Sequence, residues 1–189
     1  MLTGTAFYTH NLALALQKNN HQVEIVALGK VGVSIEDGIT VNRLKAISLP
    51  LAGFFKHLRF CSWNITNWLY LRRIIRNNGA EVILLVNHYL DIAFPSIFAS
   101  WSCKIPLVCS VGTQLQSTNP LRNRILNLLD KIVCGYLVFP FCNLIVAWDK
   151  QILKYLDDIH GHKVTRKTVI VNYGVAGDAR SLFTKKKNY

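Results

Sequence analysis

Short apolar segments alternate with helix-forming segments from one end of the chain to the other, and this alternation limits the fold more than any other feature. The sequence predicts buried strands over residues 23–28, 82–86, 106–110, 144–147 and 168–171. Helices are predicted between them, and strands that alternate with helices form parallel sheets with right-handed crossovers. We therefore predict an α/β fold in which a doubly wound parallel sheet carries helices on both faces.

The first 76 residues carry four further structural predictions. A glycine turn at Gly4 leads into an amphipathic helix over residues 6–18. Residues 29–38 are predicted to be a loop, and residues 39–44 an edge strand, because apolar and polar residues alternate there. Residues 54–76 indicate one long helix with aromatic side chains inside and basic side chains outside.

A second long helix is predicted to begin at Pro120 and to reach about Val138. Proline suits the first helical position, and one of the polar residues at 117–119 is expected to cap the helix. Residues 125–148 are apolar enough to raise the question of a membrane span. Polar residues and a proline interrupt this segment, which favours a helix, a break and a buried strand.

Composition indicates a folded protein with an excess of positive charge. Hydrophobic residues make up 51% of the chain, which excludes a disordered tail, and 22 basic residues against 10 acidic ones give a net charge of +12. Such a charge favours anionic partners, namely nucleic acid, phospholipid head groups or phosphorylated small molecules. No nucleic-acid recognition motif accompanies the charge, so nucleic acid is the least favoured of the three.

The five cysteines are odd in number, contain no C-x-x-C pair and lie mostly in apolar runs. We interpret them as reduced core residues of a cytoplasmic protein, since disulfides are rare in that compartment. A zinc or disulfide role is the less favoured alternative, and no residue is assigned as a metal ligand.

Polar turns after the predicted strands are the places where binding residues are expected. In open parallel sheets, ligands bind outside the carboxyl ends of the strands. Three such turns occur here, at residues 87–91, 111–117 and 172–175.

Five short motifs occur along the chain in a familiar order. The glycine turn leads into a helix with N-L-A-x-x-L at residues 11–16, followed by His21 and V-x-I-V. A buried strand ends at His88, I-P-L-V precedes a glycine turn within residues 105–112, another apolar strand follows, and V-I-V-N-Y-G-V spans residues 169–175. Together these motifs resemble the N-terminal, acceptor-side domain of the family 4 retaining glycosyltransferases, which have the two-domain GT-B fold.

This resemblance implies a division of the chain. Residues 1–175 are expected to form a Rossmann-like domain, one half of a GT-B fold, and residues 176–189 to begin a disordered inter-domain connection. The family's first strand and its C-terminal, donor-binding domain are expected to be missing from this sequence. The chain alone is therefore expected to be catalytically incomplete.

The resemblance also assigns roles to three residues at the predicted cleft. Gly4 and Thr5 correspond to a loop that approaches the donor pyrophosphate, since free N–H groups at a helix N-terminus suit a phosphate; the alternative is an ordinary strand-to-helix turn. His88 is assigned a catalytic role beside the transferring sugar, where an imidazole can orient a hydroxyl or assist proton movement. The alternative is a histidine that satisfies the backbone of its own loop.

Five further residues are predicted to bind substrate. Asn87 and Asp91 flank the histidine and are expected to meet acceptor hydroxyls, although Asp91 can equally serve as a helix N-cap. Gly112, Thr113 and Gln114 are expected to line the cleft. A valine precedes Gly112 where the family has a histidine, which removes one polar group from the predicted cleft.

The sequence therefore predicts the acceptor-side half of a nucleotide-sugar-dependent retaining glycosyltransferase that transfers a hexose to a lipid-linked, polysaccharide or glycan acceptor. The donor is expected to be a UDP- or GDP-sugar acting as co-substrate, with no tightly bound cofactor and with the donor domain as partner. The basic, aromatic segment 54–76 can lie on an anionic membrane, which would place the protein in the cytoplasm at the inner face of the cell membrane. The alternative is a non-catalytic membrane-surface or interaction module on a flavodoxin-like scaffold.

Overall fold

The computed structural model describes residues 4–48, 59–89 and 91–172. The helices in these ranges are α1 (Gly4–Lys18), α2 (Ile65–Asn77), α3 (Ala93–Cys103), α4 (Pro120–Leu129), α5 (Gly135–Leu137), α6 (Lys150–His160) and α7 (His162–Thr165). The strands are β1 (Glu24–Gly29), β2 (Gly32–Glu36), β3 (Ile39–Lys45), β4 (Ile47–Ser48), β5 (Arg59–Phe60), β6 (Ile83–Val86), β7 (Leu107–Val111), β8 (Leu144–Ala147) and β9 (Thr168–Ile170).

The main sheet contains β6, β7, β8 and β9 in that order, and all of its strands are parallel. Successive side chains of a strand point to opposite sides, and one face of the two central strands is buried. The residues of this face are Leu107, Cys109, Val111, Ile145 and Ala147. They form one core cluster with residues of α6. The prediction of a Rossmann-like, doubly wound α/β fold flanked by helices is confirmed.

A smaller sheet in the first part of the chain corrects two predictions. It has the order β1-β3-β2, in which β1 is parallel and β2 antiparallel to β3. The predicted loop contains β2, which returns through a tight hairpin turn at Asp37 and Gly38, with φ of 49° and 80°. The predicted edge strand, β3, lies in the middle of this sheet. Its polar Asn42 is buried because the amide donates to Glu24 Oε2 at 2.9 Å, so the apolar-polar alternation was misleading.

Helix α2 is shorter than predicted. It begins at Ile65, after the short strand β5, and not at residue 54; residues 54–58 lie outside the described ranges. Asn64 caps it by accepting a hydrogen bond from the Thr66 amide at 3.1 Å. Its inner face packs Leu71 and Ile75 into a second core cluster with residues of α3 and β1.

The second predicted long helix is confirmed in its start and its extent. Asn119 caps α4 by accepting from the amides at 121 and 122, with Pro120 in the first turn. A π-helical turn, Asp130–Cys134, joins α4 to α5, and a 3-10 turn, Phe139–Phe141, breaks the segment before β8. Within the described ranges, no helix has both the length and the apolar character needed to cross a bilayer.

Each of the two sheets has an edge strand, β1 or β6, that packs on the same helical cluster. In the described residues, β1 pairs with β3 alone and β6 with β7 alone. Glu24 at the start of β1 accepts a hydrogen bond from Asn78, five residues before β6, so both strands start at the same end of the molecule. Val26 of β1 and Ile83 of β6 also pack on the same helical cluster. Both sheets therefore pack against the same pair of helices, α2 and α3.

Amide hydrogen exchange can compare the protection of the edge strands β1 and β6 with that of the central strand β7. We expect the amides of β7, which has hydrogen-bonded neighbours on both sides, to exchange at least about tenfold more slowly than alternate amides of β1 and β6. Strand β8, which also has two neighbours, is the matched control. Equal protection across β1, β6 and β7 would contradict the open edges.

Candidate functional site

The carboxyl ends of β6 and β7 meet the N-terminus of α1, and the side chain of Asn87 joins all three. Its Nδ2 donates to Thr5 Oγ1 at 2.8 Å. Its Oδ1 accepts hydrogen bonds from the Gly112 amide at 3.5 Å and from the Thr113 hydroxyl at 3.3 Å. We call Thr5, Asn87, Gly112 and Thr113 the carboxyl-edge cluster. The structure thus brings four of the predicted site residues into one hydrogen-bonded group.

The backbone at Asn87 is as specific as its side chain. Its φ of 68° is left-handed, a conformation that asparagine adopts more readily than most residues with a side chain. Asn87 is completely buried, and its backbone N–H donates to the Ser110 carbonyl at 2.8 Å. A backbone conformation of this kind persists only where surrounding contacts hold it in place. It is concentrated at functional sites.

The N-terminus of α1 lies beside the cluster, because Thr5 in its first turn is hydrogen-bonded to Asn87. Gly4 is exposed, and the first turn of this 15-residue helix carries no acidic residue. The first N–H groups of a helix lack intrahelical partners, and the helix dipole adds positive potential there. This end of α1 can therefore receive an anionic group, and half-buried Thr5 ties it to Asn87.

The turn after β7 passes directly against the indole ring of Trp148. A Cβ at position 112 would overlap this ring, so Gly112 is required for the close approach. Trp148 Nε1 donates to Ser110 Oγ at 2.8 Å, and the ring contacts that of Tyr8 in α1 with centroids 4.3 Å apart. The carboxyl-edge cluster consequently lies beside an aromatic contact that links α1 to the main sheet.

Two residues of this turn remain accessible. Thr113 is exposed, and its hydroxyl lies within hydrogen-bonding distance of the Tyr89 hydroxyl, at 3.2 Å. Gln114 follows it, half-buried. Thr113 is therefore the side chain of the cluster best placed to meet a ligand.

His88 lies next to Asn87, yet its side chain enters the core. It is 0% exposed, stacks on Phe139 with centroids 5.3 Å apart and meets the Tyr89 ring edge-on. The prediction that this imidazole opens onto the cleft is wrong, because consecutive residues at a strand end face opposite sides. The alternative, a histidine that satisfies the backbone of its own loop, is also wrong. Neither ring nitrogen of His88 has a hydrogen-bond partner in the described part of the chain.

The polar neighbour of His88 in the core is Asp130. The His88 Nε2 lies 3.2 Å from Asp130 Oδ1, while Tyr155 and His160 both hydrogen-bond to Oδ2. Burial opposes ionisation of this carboxyl, but the interactions with His160, His88 and Tyr155 outweigh it and hold the pKa of Asp130 well below its usual value. The sequence identified Asp130 only as an interruption in an apolar run.

Cys134 completes this buried group. Its thiol donates to the His88 carbonyl at 3.7 Å, and burial together with the Asp130 carboxylate raises the pKa of the thiol. All five cysteines are free. The spacing of Asp130 and Cys134, one turn apart, was the signal available in the sequence, but it does not reveal the distant histidine.

Asp91 holds the loop between β5 and α2. Its carboxylate accepts hydrogen bonds from the amides of Cys61 and Ser62, both at 2.6 Å, and from the Ser62 hydroxyl at 2.7 Å. Burial raises the pKa of the Cys61 thiol to about 12, and the negative charge of Asp91 contributes a smaller part of this increase. The N-cap interpretation is wrong, because α3 begins after Ile92 without a side-chain cap. An acceptor hydroxyl, which was predicted to bind Asp91, would have to compete with these three donors for its carboxylate.

The comparisons with known proteins identify the family. The family model of Glycosyltransferase Family 4 matches residues 2–175, and the chain therefore belongs to that family. No curated protein matches the chain significantly. Among solved structures, it is similar to the S. aureus MnaA–UDP co-structure, with 10% sequence identity and a TM-score of 0.37. The match covers 78% of this chain and 43% of that chain, so this chain spans less than half the length of that protein.

Replacement of Gly112 tests the packing of the cleft turn. Gly112→Ala is expected to lower the free energy of unfolding by about 1–3 kcal/mol in a urea titration, because the new methyl group forces the Trp148 ring aside. Gly32→Ala is the matched control, since a Cβ there meets no atom within 4 Å. A Gly112→Ala variant as stable as the wild type would contradict the close approach.

Proposed function

We propose that the chain is the acceptor-side half of a nucleotide-sugar-dependent retaining glycosyltransferase and that transfer requires a donor-binding domain. The carboxyl-edge cluster is the observation that carries this proposal. It gathers predicted binding residues from three separate segments at the sheet edge where parallel α/β folds bind ligands. Membership of Glycosyltransferase Family 4 supports the same reaction class.

The donor side of the cleft is supported by charge. The start of α1 at Gly4 is exposed and has no acidic side chain in its first turn, and the whole chain carries +12. Both features favour the pyrophosphate of a UDP- or GDP-sugar that serves as co-substrate. In this proposal Thr5 keeps the helix end beside Asn87, so the phosphate and the acceptor meet at one place.

The acceptor side is supported by Thr113 and Gln114. Hydroxyl and amide groups at the rim of a cleft can hydrogen-bond the hydroxyls of a sugar. Retaining transfer depends on holding donor and acceptor in the reacting geometry and on stabilising developing charge. The role proposed for this half is therefore orientation of an acceptor that is lipid-linked, a polysaccharide or a glycan.

His88 enters the proposal as a positioning residue. A buried imidazole cannot touch a sugar, so direct proton transfer by His88 is left out. Its packing on Phe139 fixes the residue that follows Asn87, and thereby the left-handed turn that presents the Asn87 amide. Asp91 acts in the same indirect way, through the loop that precedes α2.

Transfer by a reconstituted enzyme tests the proposal. The chain would be fused to the donor-binding domain of a family 4 glycosyltransferase and supplied with UDP- and GDP-sugars and with lipid-linked and saccharide acceptors. The fusion is expected to form a product that keeps the anomeric configuration of the donor, and the chain alone none. Transfer by the chain alone, or an inverted product, would contradict the proposal.

In the same assay, removal of the Thr113 hydroxyl tests whether the acceptor binds at the carboxyl-edge cluster. Thr113→Val is expected to lower kcat/KM about 10- to 100-fold, since a lost hydrogen bond to substrate costs about 1–3 kcal/mol. Thr118→Val removes an exposed hydroxyl from the same connection, outside the cluster, and is expected to leave kcat/KM unchanged. Equal effects of the two changes would place the acceptor elsewhere.

We propose an anionic membrane as a second partner, on the evidence of one face of α2. Ile65, Leu69, Arg73 and Arg76 lie within about 80° of one another on the helix and are all exposed. Trp63, just before the helix, is 73% exposed. Exposed apolar and aromatic side chains beside arginines are typical of helices that lie in a membrane interface. A solvated basic face without lipid contact is the alternative.

Vesicle flotation tests this second proposal. Binding to vesicles that contain phosphatidylserine is expected to weaken roughly 30-fold in Arg73→Gln/Arg76→Gln, at about 1 kcal/mol for each basic residue at the surface. Arg122→Gln/Arg124→Gln is the control, because it removes the same charge from exposed positions of α4. If both double variants bind equally, net charge and not the α2 face attracts the membrane.

A further inference from the structure

Three side chains of the kinds that bind metal ions meet in the core beneath the carboxyl-edge cluster. One ligand atom each from His88, Asp130 and Cys134 lies within 4.8 Å of the other two. All three residues are buried. Asp130 and Cys134 begin and end the π-helical turn, whereas His88 follows β6, so the group joins two separate segments.

The contact between His88 and Asp130 has the spacing of two ligands and not the geometry of a hydrogen bond. Nε2 and Oδ1 are 3.2 Å apart, yet neither atom has a hydrogen-bond partner in the described part of the chain. Nitrogen and oxygen ligands of one tetrahedral zinc ion are about 3.3 Å apart, and a sulfur ligand lies about 3.6 Å from either. The Cys134 sulfur lies within 4.8 Å of the other two ligand atoms and needs a shift of about 1 Å to complete that arrangement.

Charge in the core favours a cation at this point. The Asp130 carboxylate is completely buried, and a buried charge is costly unless an opposite charge or a metal compensates it. A divalent ion bound by one carboxylate, one thiolate and one neutral imidazole gives a site of zero net charge. The thiol of Cys134 loses its proton to solvent when the metal binds.

The surroundings hold the carboxylate in the orientation that such a site needs. Tyr155 and His160 both hydrogen-bond to Oδ2 of Asp130, which leaves Oδ1 directed towards His88. Phe139 packs against the His88 ring and shields it from water. Hydrogen-bonded partners outside the ligands are a regular feature of metal sites in proteins, and they fix the ligands before the ion arrives.

We propose that His88, Asp130 and Cys134 bind one zinc ion inside the domain through an imidazole nitrogen, a carboxylate oxygen and a thiolate. Sulfur together with nitrogen suits zinc, whereas magnesium and calcium take oxygen ligands. Water fills the fourth position when the protein supplies three ligands. The ion stabilises the fold by linking His88 to the π-helical turn. The zinc proposal is independent of the proposed glycosyltransferase activity.

Metal content and cobalt spectroscopy of the untagged, full 189-residue chain test this site. After dialysis against buffer, the wild type is expected to retain about one zinc ion per chain, and Co²⁺ in its place to give a thiolate-to-cobalt absorption band. Cys134→Ser is expected to lose the band and to bind zinc at least about tenfold more weakly. Cys109→Ser changes another buried cysteine outside the cluster and is expected to keep both.

X-ray absorption of zinc bound to the wild type keeps the test decisive if Cys134→Ser fails to fold. The expected shell contains one sulfur at about 2.3 Å and three nitrogen or oxygen atoms near 2.0–2.1 Å. A wild type that retains no zinc and shows no cobalt band overturns the proposal, as does a sulfur count other than one. A band that persists in Cys134→Ser overturns it too, because another cysteine would then be the ligand.

Discussion

The amide of Asn87 is the interaction on which the arrangement of the site depends. It links the start of α1 to the turn after β7, and its left-handed backbone directs the chain away from the sheet. Without it, Thr5 and the turn at Gly112 and Thr113 belong to two segments with no common hydrogen-bond partner in the described residues. Since an unpaired amide in the interior costs about 1–3 kcal/mol, these two segments and Asn87 hold one another in place.

The same turn separates two chemical environments. Asn87 serves the carboxyl edge, where an exposed helix end and an exposed hydroxyl can meet a ligand. His88 serves the core, where Asp130 stays ionised through its contacts with His160, His88 and Tyr155. The carboxyl-edge cluster is therefore followed directly by a buried polar group, to which it is joined through the Asn87–His88 peptide bond.

Much of this fold followed from local patterns, because hydrophobic periodicity and capping act within one element. The order of strands and helices in the second half was predictable, and so was a helix cap within residues 117–119, which the structure places at Asn119. The central place of β3 was not, since Asn42 is buried by a partner on another strand. The burial of His88 was not predictable either, because Asp130 is distant in sequence. Local signals locate the cleft turns, whereas long-range contacts decide which way each side chain points.

The central claim is that the carboxyl-edge cluster is the ligand-binding surface of this domain. NMR titration of the isotope-labelled chain with UDP, GDP and the corresponding sugar nucleotides tests it most directly. The account predicts that the amide signals of Thr5, Gly112 and Thr113 shift together and saturate with a single dissociation constant. Shifts confined to residues remote from the cluster, or none up to millimolar nucleotide, would contradict it.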